Sequence, residues 1–157
     1  MLEKWAGNEA RFNLYLASQM AQVKIVSATT KPAGDGATEI TVTVTNEGGL
    51  PTALEIAKRV KIVREDTVSI DYAASQTVTA AGQAAGAGGG RGGRGNPFGR
   101  GGGAPDPNAR RRTAEGIGYL KPGETKTVSW TVRGAGPVNI TLSSTRGGVA
   151  TTTVDVK

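Results

Sequence analysis

EITVTVTN, residues 39–46, alternates apolar and hydroxylated side chains without a break. Successive side chains of an extended strand point to opposite faces. Ile40, Val42 and Val44 therefore fall on one side, and Thr41, Thr43 and Thr45 on the other. Asn46, Gly48, Gly49 and Pro51 follow at once and supply turn chemistry. A strand of this kind buries one face and shows the other to water, which is the habit of an antiparallel sheet.

The same period extends outward in both directions. VKIVSATT (23–30) alternates before it, and Pro32, Gly34, Asp35 and Gly36 provide the turn between the two. DTVSIDYA (66–73), VNITLSST (138–145) and VATTTVDVK (149–157) read as further strands, the last two separated by Arg146-Gly147-Gly148. In GYLKPGETKTVSWTVRG (118–134) a Pro122-Gly123 turn precedes a strand with Val128, Trp130 and Val132 on one face. That alternation makes Trp130 a core residue rather than a carbohydrate platform. LEIAKRVKIVRE (54–65) fits a helix at its start and a strand at its end. About seven short strands with threonines outward predict an all-β, Ig-like antiparallel sandwich. A parallel α/β sheet would need helices between the strands, and the pattern has none.

Ahead of the strands the period is helical. In LEKWAGNEARFNLYLASQM (2–20), Trp5, Phe12, Leu16 and Met20 fall near one stripe with Tyr15 beside it, while Glu3, Lys4, Glu9, Arg11 and Gln19 lie elsewhere. Gly7 weakens this helix by roughly 1 kcal/mol relative to alanine. The division expected is a linker or docking helix over 1–21 and a sandwich over 22–157. The stripe is the candidate docking face, packing on its own domain, on a preceding domain or on an identical subunit. No capping residue precedes Leu2, which suits the end of a preceding domain.

Composition removes several chemistries. The 157 residues contain no cysteine and no histidine. Disulfides, thiolate or imidazole metal sites and histidine general bases are thereby excluded. The 13 carboxylates form no D-x-D-x-D-G calcium loop. We expect a non-catalytic chain with no metal or cofactor site. No run of about 18 apolar residues suggests a membrane span, and MLEKWAGNEARF carries no signal-peptide pattern.

The formal charge of +6 is concentrated in one place. Residues 80–112 hold Arg91, Arg94, Arg100, Arg110, Arg111 and Arg112 against Asp106, together with 12 of the 24 glycines. The remaining 13 basic and 12 acidic residues nearly cancel. Arginines spaced by glycines can contact phosphate and stack on bases, so these six are the candidate polyanion contacts. Within this segment only Arg91-Gly92-Gly93 and Arg100-Gly101-Gly102 are complete RGG units, with Phe98 the one interleaved aromatic. The segment also lies inside one sandwich rather than at a terminus. A long loop insertion, whose closure entropy grows slowly with length, accounts for it better than nucleic-acid binding.

VTVTNEGGLPT (42–52) followed by L-K-P-G-E-T-K-T-V-S-W (120–130) resembles bacterial extracellular immunoglobulin-like modules, including the cell-adhesion-related domain found in bacteria. EARFNLYLASQMAQVKIVSA (9–28) with TNEGGLPTAL (45–54) is similar to a more particular arrangement. It is the junction and accessory β-sandwich that follow the catalytic domain of secreted bacterial zinc carboxypeptidases of the carboxypeptidase A-like family. The resemblance implies a non-catalytic, extracellular or periplasmic module. Its partners would be an upstream catalytic domain, or identical subunits, reached through the N-terminal helix or an edge strand. The family's zinc site needs a His-x-x-Glu pair and a second histidine, and no residue here can take those roles. The alternative is a self-assembling subunit of a filament or surface layer, since an exposed sheet edge can accept a neighbour's strand.

Overall fold

The computed structural model describes residues 2–60, 62–80 and 110–157. Ten elements follow in chain order: α1 (Leu2–Ser18), β1 (Val23–Gly34), β2 (Ala37–Asn46), α2 (Glu55–Val60), β3 (Asp66–Ala73), β4 (Thr77–Ala80), β5 (Arg110–Gly118), β6 (Thr125–Arg133), β7 (Gly136–Ser144) and β8 (Gly148–Val156). The eight strands form two four-stranded antiparallel sheets, ordered β1-β2-β6-β4 and β5-β3-β7-β8. The molecule is the expected all-β sandwich preceded by one helix. In a constant-type immunoglobulin sandwich the sheets run ABED and CFG. Here β1-β2-β6-β4 takes the first arrangement and β3-β7-β8 the second, with β5 added beside β3.

Alternation sets which residues meet between the sheets. Ile40 and Val42 lie opposite Trp130 and Val128, and Ile70 and Val68 lie opposite Ile140 and Leu142. All eight, with Val44, Val132 and Val138, belong to one buried cluster. Trp130 is fully buried, as its position between Val128 and Val132 predicts. The same registers place Thr41 against Ser129, Thr43 against Thr127 and Thr141 against Thr151 outside the core.

Three differences from the sequence reading have physical causes. Residues 54–65 supply no strand: their start forms α2, and both sheets are complete without them. β4, only four residues long, pairs with β6 at the end of the first sheet. Arg110, Arg111 and Arg112, read as the end of the insert, instead begin β5 at the end of the second sheet, opposite Ala73, Tyr72 and Asp71. Edge strands bury few side chains, so a period-two signal is weak there. In β5 only Ile117 is buried. The segment between Ala80 and Arg110 thus connects the edge of one sheet to the edge of the other.

Candidate functional site

The 17-residue helix α1 buries none of its described side chains. Trp5, Phe12, Tyr15, Leu16 and Met20 of the predicted stripe are between 48% and 68% exposed. Leu14 is exposed as well, but at 100° per residue it points away from them. A helix of this length is marginal alone, and its stability in proteins comes mainly from packing an apolar face. Scattered surface hydrophobics need no explanation, whereas a continuous stripe of aromatics marks an interaction surface. The sandwich of the same chain does not cover it.

Below this helix lies a tightly built joint. The Asn46 side chain is fully buried and makes four hydrogen bonds. Its Oδ1 accepts from the backbone N–H of Gln22 at 3.0 Å and of Gly48 at 3.1 Å. Its Nδ2 donates to the carbonyls of Leu50 at 2.8 Å and Leu120 at 3.4 Å. The Asn46 backbone is also engaged, donating to the Glu124 carbonyl and accepting from the Gly123 N–H. Glu47 N–H donates to the Gln22 carbonyl, and Lys24 pairs with Glu47 across the same corner. Gly48 approaches the chain where it leaves the helix so closely that a β-carbon would lie 2.1 Å from the Met20 carbonyl oxygen. Gly49 faces the Gln19 side-chain amide in the same way. The 19–22 segment that follows α1 is therefore held on the 46–50 turn.

A second clasp continues from the first. Thr52 Oγ1 donates to Asp66 Oδ2 at 2.5 Å while accepting from Leu120 N–H at 2.9 Å. The Thr52 N–H reaches back to the Leu120 carbonyl. Thr52 and Asp66 are both buried. T-N-x-G and L-x-P-G-E, which lie far apart in sequence, are thus the two halves of one corner. Sequence reasoning took Asn46 only as a strand terminator and passed over Thr52 and Asp66. The available signal was a polar residue directly after a buried strand, but its carbonyl partners come from a distant loop.

Leu50, Leu54, Ile56, Val60 and Ile62 form a second exposed apolar segment, beginning at the foot of α1. A shallow groove of about 250 Å³ runs along it between Pro51, Ala53, Leu54, Leu120 and Pro122. A larger hollow of about 610 Å³ is lined by Val63, Glu65, Tyr119, Lys121, Glu124 and Lys126. Its polar groups largely satisfy one another. Tyr119 donates its hydroxyl to the Val63 carbonyl, Lys126 Nζ donates to the Ile117 carbonyl, and Glu124 Oε2 accepts from Lys121 N–H. These contacts build the loops and leave the hollow without convergent reactive groups. Among the described residues, no group of three or more His, Cys, Asp or Glu could hold a metal ion.

Of the candidate polyanion contacts, Arg91, Arg94 and Arg100 lie outside the described residues. Arg112 makes a two-pronged ion pair with Asp71, at 2.5 and 2.7 Å, directly across the β3–β5 register. That hydrogen bond holds the Asp71 carboxyl below the usual carboxylate range, against an opposing effect of partial burial. Arg112 is thereby committed to its own sheet. Arg110 and Arg111 are exposed beside it.

Residues 22–155 match the model of a family described as a domain of unknown function, DUF8731. No curated protein matches the chain. The matched segment begins at the joint and takes in all eight strands, while α1 lies before it.

Proposed function

Because the chain belongs to the DUF8731 family, whose description assigns no activity, we propose from its own residues that it is a non-catalytic extracellular β-sandwich module. In this reading it is the accessory domain that follows the catalytic domain of a larger secreted zinc carboxypeptidase. The observation that carries the reading is the uncovered aromatic stripe of α1, whose following residues 20–22 are tied to the sandwich by the Asn46–Gly48 joint. Such a helix suits a connector whose other face belongs to a second folded body. The contact between the 45–52 and 120–124 motifs, on which the resemblance to bacterial extracellular immunoglobulin-like modules rests, supports the module rather than its attachment to an enzyme. The module would position or stabilise the enzyme, and catalysis would reside outside these residues.

Intact mass of the polypeptide as its native source produces it tests this reading. A mass far above 16.0 kDa, with a His-x-x-Glu pair in the additional sequence, is the expected result. A gene product of 16.0 kDa with no such sequence attached overturns it. A second reading, a self-assembling extracellular subunit, draws on the same uncovered stripe and on the strand edges at both ends of each sheet. Fibres or higher oligomers that disappear when residues 2–20 are deleted would favour it.

A further inference from the structure

We propose that α1 is a pairing helix for a second copy of this chain, forming a two-fold antiparallel helix pair. The inference concerns the 157-residue chain itself and does not depend on the carboxypeptidase reading.

The apolar stripe runs from Trp5 to Leu16 on α1, about 17 Å of helix, and Met20 follows two residues past the helix end. Leu50 is half exposed in the 46–50 turn, which packs against the chain just after the helix. Trp5, Phe12, Tyr15, Leu16, Met20 and Leu50 are each about half exposed or more. Their free surface is on the order of 700 Å² per copy, near the ~800 Å² that each partner contributes to a standard stable interface. The stripe is richest in aromatic residues, which anchor such interfaces.

The shape selects the occupant. The midpoint of the stripe falls at Phe12, so an antiparallel copy brings two Phe12 side chains together near the two-fold axis. It carries Trp5 of one copy to the corner made by Met20 and Leu50 of the other. Both ends of each stripe are then covered by residues already in this chain. Antiparallel pairing also sets the N-terminus of each helix beside the C-terminus of its mate, which favours their dipoles. Two-fold, self-complementary contacts of this kind are the commonest form of homo-oligomer.

The chain contains no cysteine, so introduced thiols report the arrangement cleanly. Sedimentation equilibrium of the unaltered chain should give twice 16.0 kDa at micromolar concentration. Phe12→Glu should weaken the pairing by about 30-fold or more, whereas Leu14→Glu, on the opposite face, should leave it within about threefold. Circular dichroism on both variants shows whether α1 remains helical. Mixed Trp5→Cys and Met20→Cys chains should form an interchain disulfide on mild oxidation, and Trp5→Cys alone should not. A monomer at every concentration overturns the proposal, as does a dimer indifferent to Phe12→Glu. Self-crosslinking of Trp5→Cys at the expense of the mixed pair overturns the antiparallel arrangement. The native mass tests the accessory-domain reading independently, but a dimer closed through this stripe would withdraw the uncovered face on which that reading rests.

Discussion

A β-carbon on Gly48 would meet the Met20 carbonyl oxygen, the Ala21 α-carbon and the Gln22 nitrogen at 2.1–2.7 Å. These are backbone atoms held by the Asn46 hydrogen bonds, so they cannot step aside cheaply. Gly48→Ala should therefore cost about 1–3 kcal/mol, measured as a lowered urea midpoint. Gly7 is the opposite case, with nothing within 4 Å of its added β-carbon. Gly7→Ala should raise the helix signal in circular dichroism, since alanine is favoured by about 1 kcal/mol. A further residue-scale effect concerns protonation. Asp71 titrates below the usual carboxylate range because Arg112 donates a hydrogen bond to its charged form, with added attraction from Arg112 and Arg110. A depressed folded-state value means that the pair stabilises the fold above the ordinary carboxylate range. That contribution is lost as pH falls through the depressed value. Carboxyl-carbon NMR should show the low Asp71 midpoint, and Arg112→Gln should move it upward. An unmoved midpoint would remove the ion pair as the cause.

At the scale of elements, the loops are tied by side chains rather than by ladder hydrogen bonds. Thr52 is the shared atom of a clasp that fastens the 50–52 segment to both the start of β3 and the 119–124 turn. Replacing it by valine keeps the shape but leaves the buried Asp66 carboxylate and the Leu120 N–H without this partner. Thr52→Val should cost about 2–4 kcal/mol, and Thr52→Ser should recover most of it, both read from denaturant unfolding. The turn beyond the clasp was visible in advance: Pro122-Gly123 closes with Glu124 N–H on the Lys121 carbonyl at 3.0 Å, and Gly123 sits at φ 69°. A type II turn requires a positive φ at that position, which glycine adopts without strain. The 54–65 segment was legible only as an ambiguity. Propensity allowed helix or strand; the start of the segment forms α2, and neither sheet includes it. For α1 the stripe was readable residue by residue, yet its exposure among the described residues was not.

Across the whole molecule, the two sheets meet the Gly- and Arg-rich segment at their edges. β4 is the last strand of one sheet and β5 the last of the other, so no ladder between central strands depends on what joins them. Replacing residues 81–109 with a ten-residue Gly-Ser linker, which can reach about 33 Å, should leave the melting temperature within about 4 °C. Loop-closure entropy changes only about 0.6 kcal/mol for each doubling of length. A large drop would mean that the segment packs on the sandwich. The same variant loses Arg91, Arg94, Arg100 and Asp106 but keeps Arg110, Arg111 and Arg112, so its formal charge falls from +6 to +4 and any salt-sensitive binding to polyanions should weaken rather than vanish.

The sequence by itself determined the sandwich, because alternation in 39–46, 66–73, 125–133 and 138–145 assigns each side chain to core or solvent without reference to its partner strand. It determined the helical stripe for the same reason, since 3.6-residue periodicity is local. It also excluded imidazole and thiolate chemistry through composition alone. Tertiary structure decided the order of strands, the enlistment of Arg110–Gly118 as an edge strand, and the Asn46 and Thr52 clasps. Each of those depends on hydrogen-bond partners far away along the chain, and nothing in a local pattern specifies which distant carbonyl a buried amide will find.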